Sequence, residues 1–108
     1  MKHITPQTLK TLLTKKPNAV VVDLRSPVQF RDWNYPRSIN AATMTVLSTM
    51  QRYPKTTPIV LYGESSKDTT LNISANYLEQ MGYTEIYSTE GADRLKASMS
   101  TQNAKRKK

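Results

Sequence analysis

Apolar positions fall along this chain in two rhythms, and the alternation between them predicts its elements. Leu9, Leu12 and Leu13 recur at helical spacing behind Thr5-Pro6, a capping residue followed by proline at the first helical position. Lys15-Lys16-Pro17 closes that helix. Ala19-Val20-Val21-Val22-Asp23-Leu24 is a continuous valine-rich run, the pattern of a parallel strand buried on both faces. Ser26-Pro27-Val28-Gln29 reads as a capping box with proline at the first helical position, opening a short helix through Phe30. Residues 34–38, Asn34-Tyr35-Pro36-Arg37-Ser38, form a turn, and a short strand is expected from Ile39 to Ala42. Val46, Leu47 and Met50 mark a helix that stops before Pro54, and Ile59-Val60-Leu61-Tyr62 is the second strong buried strand. Leu71, Ala75, Leu78 and Met81 share one face of a helix from about Asp68 to Met81, with Gly82 as its C-terminal glycine. Glu85-Ile86-Tyr87 reads as a short strand, and a last helix is expected from about Gly91 to Met99.

Strand–helix alternation of this kind implies one parallel sheet with helices on both faces, a three-layer α/β/α fold. The 108 residues suit one domain, placed at 1–99, and no internal repeat interrupts it. The formal charge of +8 rests for half its value on Lys105-Arg106-Lys107-Lys108. Residues 100–108 are therefore expected to be a disordered basic tail, and these four residues are the only place where contact with nucleic acid or an acidic surface is expected. No apolar run is long enough to span a bilayer. The opening Met1-Lys2-His3-Ile4-Thr5-Pro6 lacks the apolar core of a secretory signal, so a soluble cytoplasmic protein is the expectation. Zero cysteines exclude disulfides, thiolate metal sites and thiolate catalysis. One histidine and unclustered carboxylates give no support for a metal, and no cofactor is expected.

Several segments in order resemble the rhodanese-like domain, from Ile4 to about Ser98. Val20-Val21-Val22-Asp23-Leu24-Arg25-Ser26 is similar to the family's hydrophobic strand ending in Asp-x-Arg. Tyr35-Pro36-Arg37-Ser38-Ile39-Asn40-Ala41 stands where the family has Gly-His-Ile-x-Gly-Ala-Ile-Asn, with Trp33 and Asn34 replacing the Gly-His. Ile59-Val60-Leu61-Tyr62 resembles the strand before the active loop, and Leu78-Glu79-Gln80-Met81-Gly82-Tyr83 the family's Leu-x-x-x-Gly-Tyr. Glu90-Gly91 stands at a frequent Gly-Gly pair, and Leu95 where a tryptophan is frequent. The resemblance implies a five-stranded, mostly parallel sheet and, in active members, transfer of sulfane sulfur by one cysteine. That cysteine would fall at Gly63, and the basic residue that usually stands sixth in the loop would fall at Asp68.

No side chain here replaces the missing thiolate, which must both attack sulfur and leave. Hydroxyls such as Ser65 and Ser66 need an adjacent base, and the lone His3, read as an exposed terminal residue, lies far along the chain. No catalytic residue is therefore assigned. The loop can still bind. Gly63, Glu64, Ser65, Ser66, Lys67, Asp68 and Thr69 could wrap into a nest of N–H groups for a small anion, although Glu64 and Asp68 weaken such a site and Asp68 suits the helix N-cap. Asp23 and Arg25 are read as a structural pair anchoring neighbouring loops, while Trp33 and Tyr35 could either form an aromatic surface or pack on the sheet edge. The leading expectation is a catalytically inactive rhodanese-like module that binds a protein partner or a small anion. One alternative is a sulfurtransferase-family enzyme using a partner's cysteine or a hydroxyl nucleophile. The other is acidic-surface or nucleic-acid contact through Lys105–Lys108. A cysteine placed at Gly63 is expected to have a lowered pKa.

Overall fold

The computed structural model describes residues 1–106, with side chains through 99. In chain order the elements are β1 (Lys2–His3), α1 (Pro6–Lys15), β2 (Val20–Asp23), α2 (Pro27–Asp32), β3 (Ile39–Asn40), a 3-10 turn (Thr43–Thr45) leading into α3 (Val46–Met50), β4 (Ile59–Tyr62), α4 (Thr69–Gln80), β5 (Ile86–Ser88) and α5 (Ala92–Arg106). The five strands form one sheet in the order β1-β5-β4-β2-β3, and every pairing is parallel.

Local sequence sets the helix ends. Thr5 accepts the Thr8 amide at 3.1 Å, and Ser26 and Gln29 form a reciprocal capping box. Asp68 caps α4 through the Thr70 amide. Gly82 ends α4 with φ +101, a conformation that a side chain resists. Arg37 also has a positive φ, 70°, and its guanidinium donates to the Pro17 carbonyl at 2.8 Å. The last helix departs from the sequence reading. It continues beyond Met99 to Arg106, because residues 100–106 contain no glycine or proline and several good helix formers. The expected disordered stretch 100–108 thus overlaps helical backbone as far as Arg106, and Lys107 and Lys108 lie outside the described residues.

Strand periodicity then distributes the core between two faces. Val20 and Val22 of β2 with Ile59 and Leu61 of β4 pack against Val46 and Met50 of α3 and Leu71, Ala75 and Leu78 of α4. Val21, Val60 and Tyr62 point the other way, onto Leu9 of α1 and Ala92 and Leu95 of α5. Each such aliphatic side chain, fully buried, contributes roughly 1.5–3 kcal/mol. Two covered faces explain why β2 and β4 read as unbroken apolar runs.

The one charge deep in this core is Asp23, fully buried at the carboxyl end of β2. Parallel register sets it beside Tyr62 of β4 and Asn40 of β3. The Tyr62 hydroxyl donates to Asp23 Oδ2 at 2.6 Å. Arg25 gives Asp23 its own amide at 2.8 Å, Nε at 3.1 Å and Nη2 at 2.9 Å. The same Nη2 reaches the Trp33 carbonyl at 2.5 Å, and the Asn40 amide group bridges the carbonyls of Asp23 and Arg25 at 3.0 and 2.9 Å. The Tyr35 amide donates to the Tyr62 oxygen at 3.0 Å. Burial, and then the Asp23 carboxylate, push the Tyr62 phenol up to about 12. Burial alone would lower the Arg25 guanidinium, and its hydrogen bonds and ion pair with Asp23 outweigh that and raise it. Asp23 and Arg25 are therefore the structural pair that the sequence suggested. Tyr35 is buried, and the half-buried Trp33 meets the Tyr62 ring edge-on at 6.3 Å between centroids. Of the two readings for these aromatics, packing is the one the structure adopts.

Loss of one hydroxyl from this network should be measurable. Tyr62→Phe is expected to cost about 1–3 kcal/mol, since a buried acceptor and a buried amide both lose a partner. Asp23→Ala is expected to cost about 3–5 kcal/mol because the Arg25 guanidinium is left uncompensated. Urea midpoints with unchanged m-values check both, and equal losses in the two variants would contradict a hub at Asp23.

Candidate functional site

All five strands point the same way, so the connections after β2, β3, β4 and β5 gather at one sheet edge. The loop from Gly63 to Asp68 leaves the middle strand of this edge and delivers the chain to α4. Its neighbours hold it closely. The Ala92 amide donates to the Gly63 carbonyl at 3.0 Å, and the Leu24 amide to the Tyr62 carbonyl at 2.9 Å. Gly91 lies so near that a Cβ there would fall 2.2 Å from the Glu64 carbonyl oxygen and 2.5 Å from Ser65 Cα. Only a residue without a side chain allows the turn before α5 to lie against the loop backbone.

Gly63 is buried, Glu64, Ser65, Ser66, Lys67 and Thr69 are exposed, and Asp68 is half-buried. The Asp68 carboxylate folds back into the loop. A Cβ added to Gly63 would lie 2.7 Å from Asp68 Oδ2. Oδ2 also accepts the Glu64 amide at 3.4 Å, while Oδ1 accepts the Thr70 amide at 3.0 Å and the Thr70 hydroxyl at 2.8 Å. Burial tends to raise this carboxyl, but the Thr70 and Glu64 donors outweigh burial and hold it below the usual 3.8. Such a carboxylate is a weak base, so its bond to the Thr70 hydroxyl is part of a helix cap and not an activated nucleophile.

An anion nest at this loop would need free amides, and the loop spends three of them internally. The Glu64 amide goes to Asp68, the Lys67 amide to Ser65 Oγ at 3.2 Å, and the Asp68 amide to the Ser65 carbonyl at 3.2 Å. The Glu64 carboxylate takes the side-chain amide of Gln29, which ties α2 across to the loop. Beyond the loop, a cavity of about 310 Å³ opens towards the first turn of α5, lined by Glu64 to Lys67 and by Gly91, Asp93 and Arg94.

The lone histidine is less isolated than its position in the chain suggests. Pairing of β1 with β5 brings His3 to Glu90 at 2.9 Å and to Ser88 Oγ at 3.3 Å. Both ring nitrogens are thus engaged away from Ser65, Ser66 and Thr69. Sequence reasoning also missed Gln29, Gly91, Asp93 and Arg94, which meet the loop only through folding. The Glu90-Gly91 pair was the one signal available for them. Among the described residues no group of three or more histidine, cysteine or acidic side chains could hold a metal, and no helix is long and apolar enough to cross a membrane. The side chains of Lys105, Arg106, Lys107 and Lys108 fall outside the described residues.

A family model described as the rhodanese-like domain matches residues 5–92. Similar solved structures include the solution structure of a rhodanese-like domain from Anabaena, at 17% identity and a TM-score of 0.76, covering 90% of this chain and 74% of that one. A protein from Bacillus halodurans matches at 17% identity and TM-score 0.77, over 90% of this chain and 72% of its own. The human single-domain sulfurtransferase matches at 18% identity and TM-score 0.72, over 91% and 96%. No curated protein matches the chain.

Two measurements check this geometry. Gly91→Ala is expected to destabilise the protein by about 1–3 kcal/mol, because the new methyl group meets backbone that cannot turn aside; its urea midpoint and the amide shifts of Glu64 and Ser65 report it. Asp68→Ala is expected to cost about 1 kcal/mol near neutrality as a lost cap. Because the folded carboxyl lies below its usual 3.8, this contribution is full above that value and is lost as pH falls through the lower, folded one. Thermal melts of both proteins should therefore converge in acid.

Proposed function

The chain belongs to the rhodanese-like domain family, and we propose that it serves as a catalytically silent module whose loop edge binds a protein partner. One observation carries the reading. The space beside residue 63, where a family cysteine would project, is taken by the Asp68 carboxylate, 2.7 Å from the position of a Cβ there. A thiolate in that place would face a like charge at close range, which disfavours the ionised form on which sulfur transfer depends. The chain has no cysteine to put there. On this reading a cysteine at 63 would have a raised pKa, opposite to the expectation from the sequence.

The same carboxylate, with the amides of Glu64, Lys67 and Asp68 already engaged, speaks against a small anion in the nest. A protein partner suits the edge better. Val28 follows the β2 turn and is 66% exposed, and Met44 follows β3 and is 86% exposed. Gln29 binds Glu64, so α2 flanks the loop directly. Two large apolar side chains in water beside a polar loop are the anchors that protein interfaces use. Location in the cytoplasm remains part of this proposal.

Purified protein is expected to form no thiocyanate from thiosulfate and cyanide above the uncatalysed rate, and turnover at enzymatic speed would refute the silent-module reading. The Gly63→Cys thiol should titrate above the ordinary value of about 8.5, as read from the pH dependence of alkylation. Adding Asp68→Ala should bring it down. Sulfate, phosphate and thiosulfate should give no saturable shift of the amide signals from Gly63 to Thr69.

A further inference from the structure

The cavity between the loop and α5 contains more unspent donors than acceptors. Of its two carboxylates, Glu64 is committed to the Gln29 side chain. Its cations are less engaged: Arg94 Nε makes only a loose ion pair with Glu90 at 3.7 Å, with its side chain 82% exposed, and the Lys67 side chain is exposed. The exposed hydroxyls of Ser65 and Ser66 line the same wall. These groups lie on the outer side of the loop, away from the space that Asp68 fills. An acceptor-rich ligand fits them, and a chain carrying +8 draws acidic ligands from a distance.

Resting on the silent-module reading, we infer that this cavity receives carboxylate side chains from an acidic segment of the partner protein, held by Lys67, Arg94 and the two serine hydroxyls. Val28 and Met44, exposed in the segments that follow β2 and β3, offer a protein partner apolar contacts at the same end of the sheet. Single-stranded nucleic acid is the weaker occupant. Its recognition uses exposed aromatic platforms, whereas Tyr35 and Tyr62 are buried here and Trp33 is half-buried against them. Asp93 opposes the ligand from the wall of the cavity, which gives the assignment a distinctive sign: its removal should strengthen binding.

The test is a nuclear magnetic resonance titration of the full chain with N-acetyl-hexaglutamate at low and high salt. Saturable, salt-weakened shifts are expected at Glu64–Lys67 and Gly91–Arg94. Lys67→Ala and Arg94→Ala should each weaken binding about threefold, and Asp93→Asn should strengthen it by a similar factor. A set of controls carries Lys10→Ala and Lys15→Ala on α1, where binding should be unchanged. The proposal falls if the shifts centre on α1 or on residues 100–108, if no saturable shift occurs, or if Asp93→Asn weakens binding. An oligothymidine that binds the cavity as tightly as the peptide overturns the choice of a protein partner. Thiocyanate turnover would sink the silent-module reading without moving these shifts, and failure of the peptide would leave that reading standing.

Discussion

A single buried carboxylate holds the working edge of this molecule together. Asp23 sits in the core with no access to water, a placement that costs several kcal/mol unless the charge is paired and its lone pairs are filled. The Arg25 guanidinium and backbone amide and the Tyr62 hydroxyl meet that demand. Their other bonds spread the constraint outward, through Trp33 and Tyr35 to the end of α2 and through Asn40 to β3. The strands that end here are thereby locked in register, and Gly63 follows Tyr62 directly. The loop starts from a rigid point because the residue before it belongs to this network.

A second carboxylate decides what the loop can do. Asp68 caps α4 and at the same time fills the centre of the loop. The two roles are one geometry, since the donors that a helix N-terminus leaves free are those that an anion cradle would use. This chain satisfies three of the loop's amides itself, and the outer cavity with Lys67 and Arg94 stays open. Loss of the thiol and filling of its space agree with each other, which is more informative than either alone. The fold by itself would point to sulfur transfer, and only the residues at the site speak against it.

Much of the site was legible where the physics is local. Asp68 announces itself as a cap because its side chain bonds an amide two residues on. The Ser26–Gln29 box and Gly82 are equally short-range. Val20 to Val22 and Ile59 to Tyr62 read as buried strands because sheet burial on both faces leaves no polar position. Where distant segments meet, the sequence was silent or misleading. His3 reads as an exposed terminal residue and is exposed, but its pairing with Glu90 could not be foreseen. Glu64 reads as a charge inside the loop and is turned outward onto Gln29. Arg37 stands where the resembled motif has a glycine, and its backbone has a positive φ despite the side chain.

By itself the sequence determined the alternating elements, the helix caps, the absence of a sulfur nucleophile and the family, since each depends on residue type and spacing along the chain. Tertiary structure alone decided that Asp23 is a hub, that Gly91 lies against the loop, that Trp33 and Tyr35 pack against the sheet, and that the Asp68 carboxylate fills the space beside Gly63. Those facts arise from contacts between segments remote in sequence. Their energies depend on distance and burial, which become defined only when the sheet brings its strand ends to one edge.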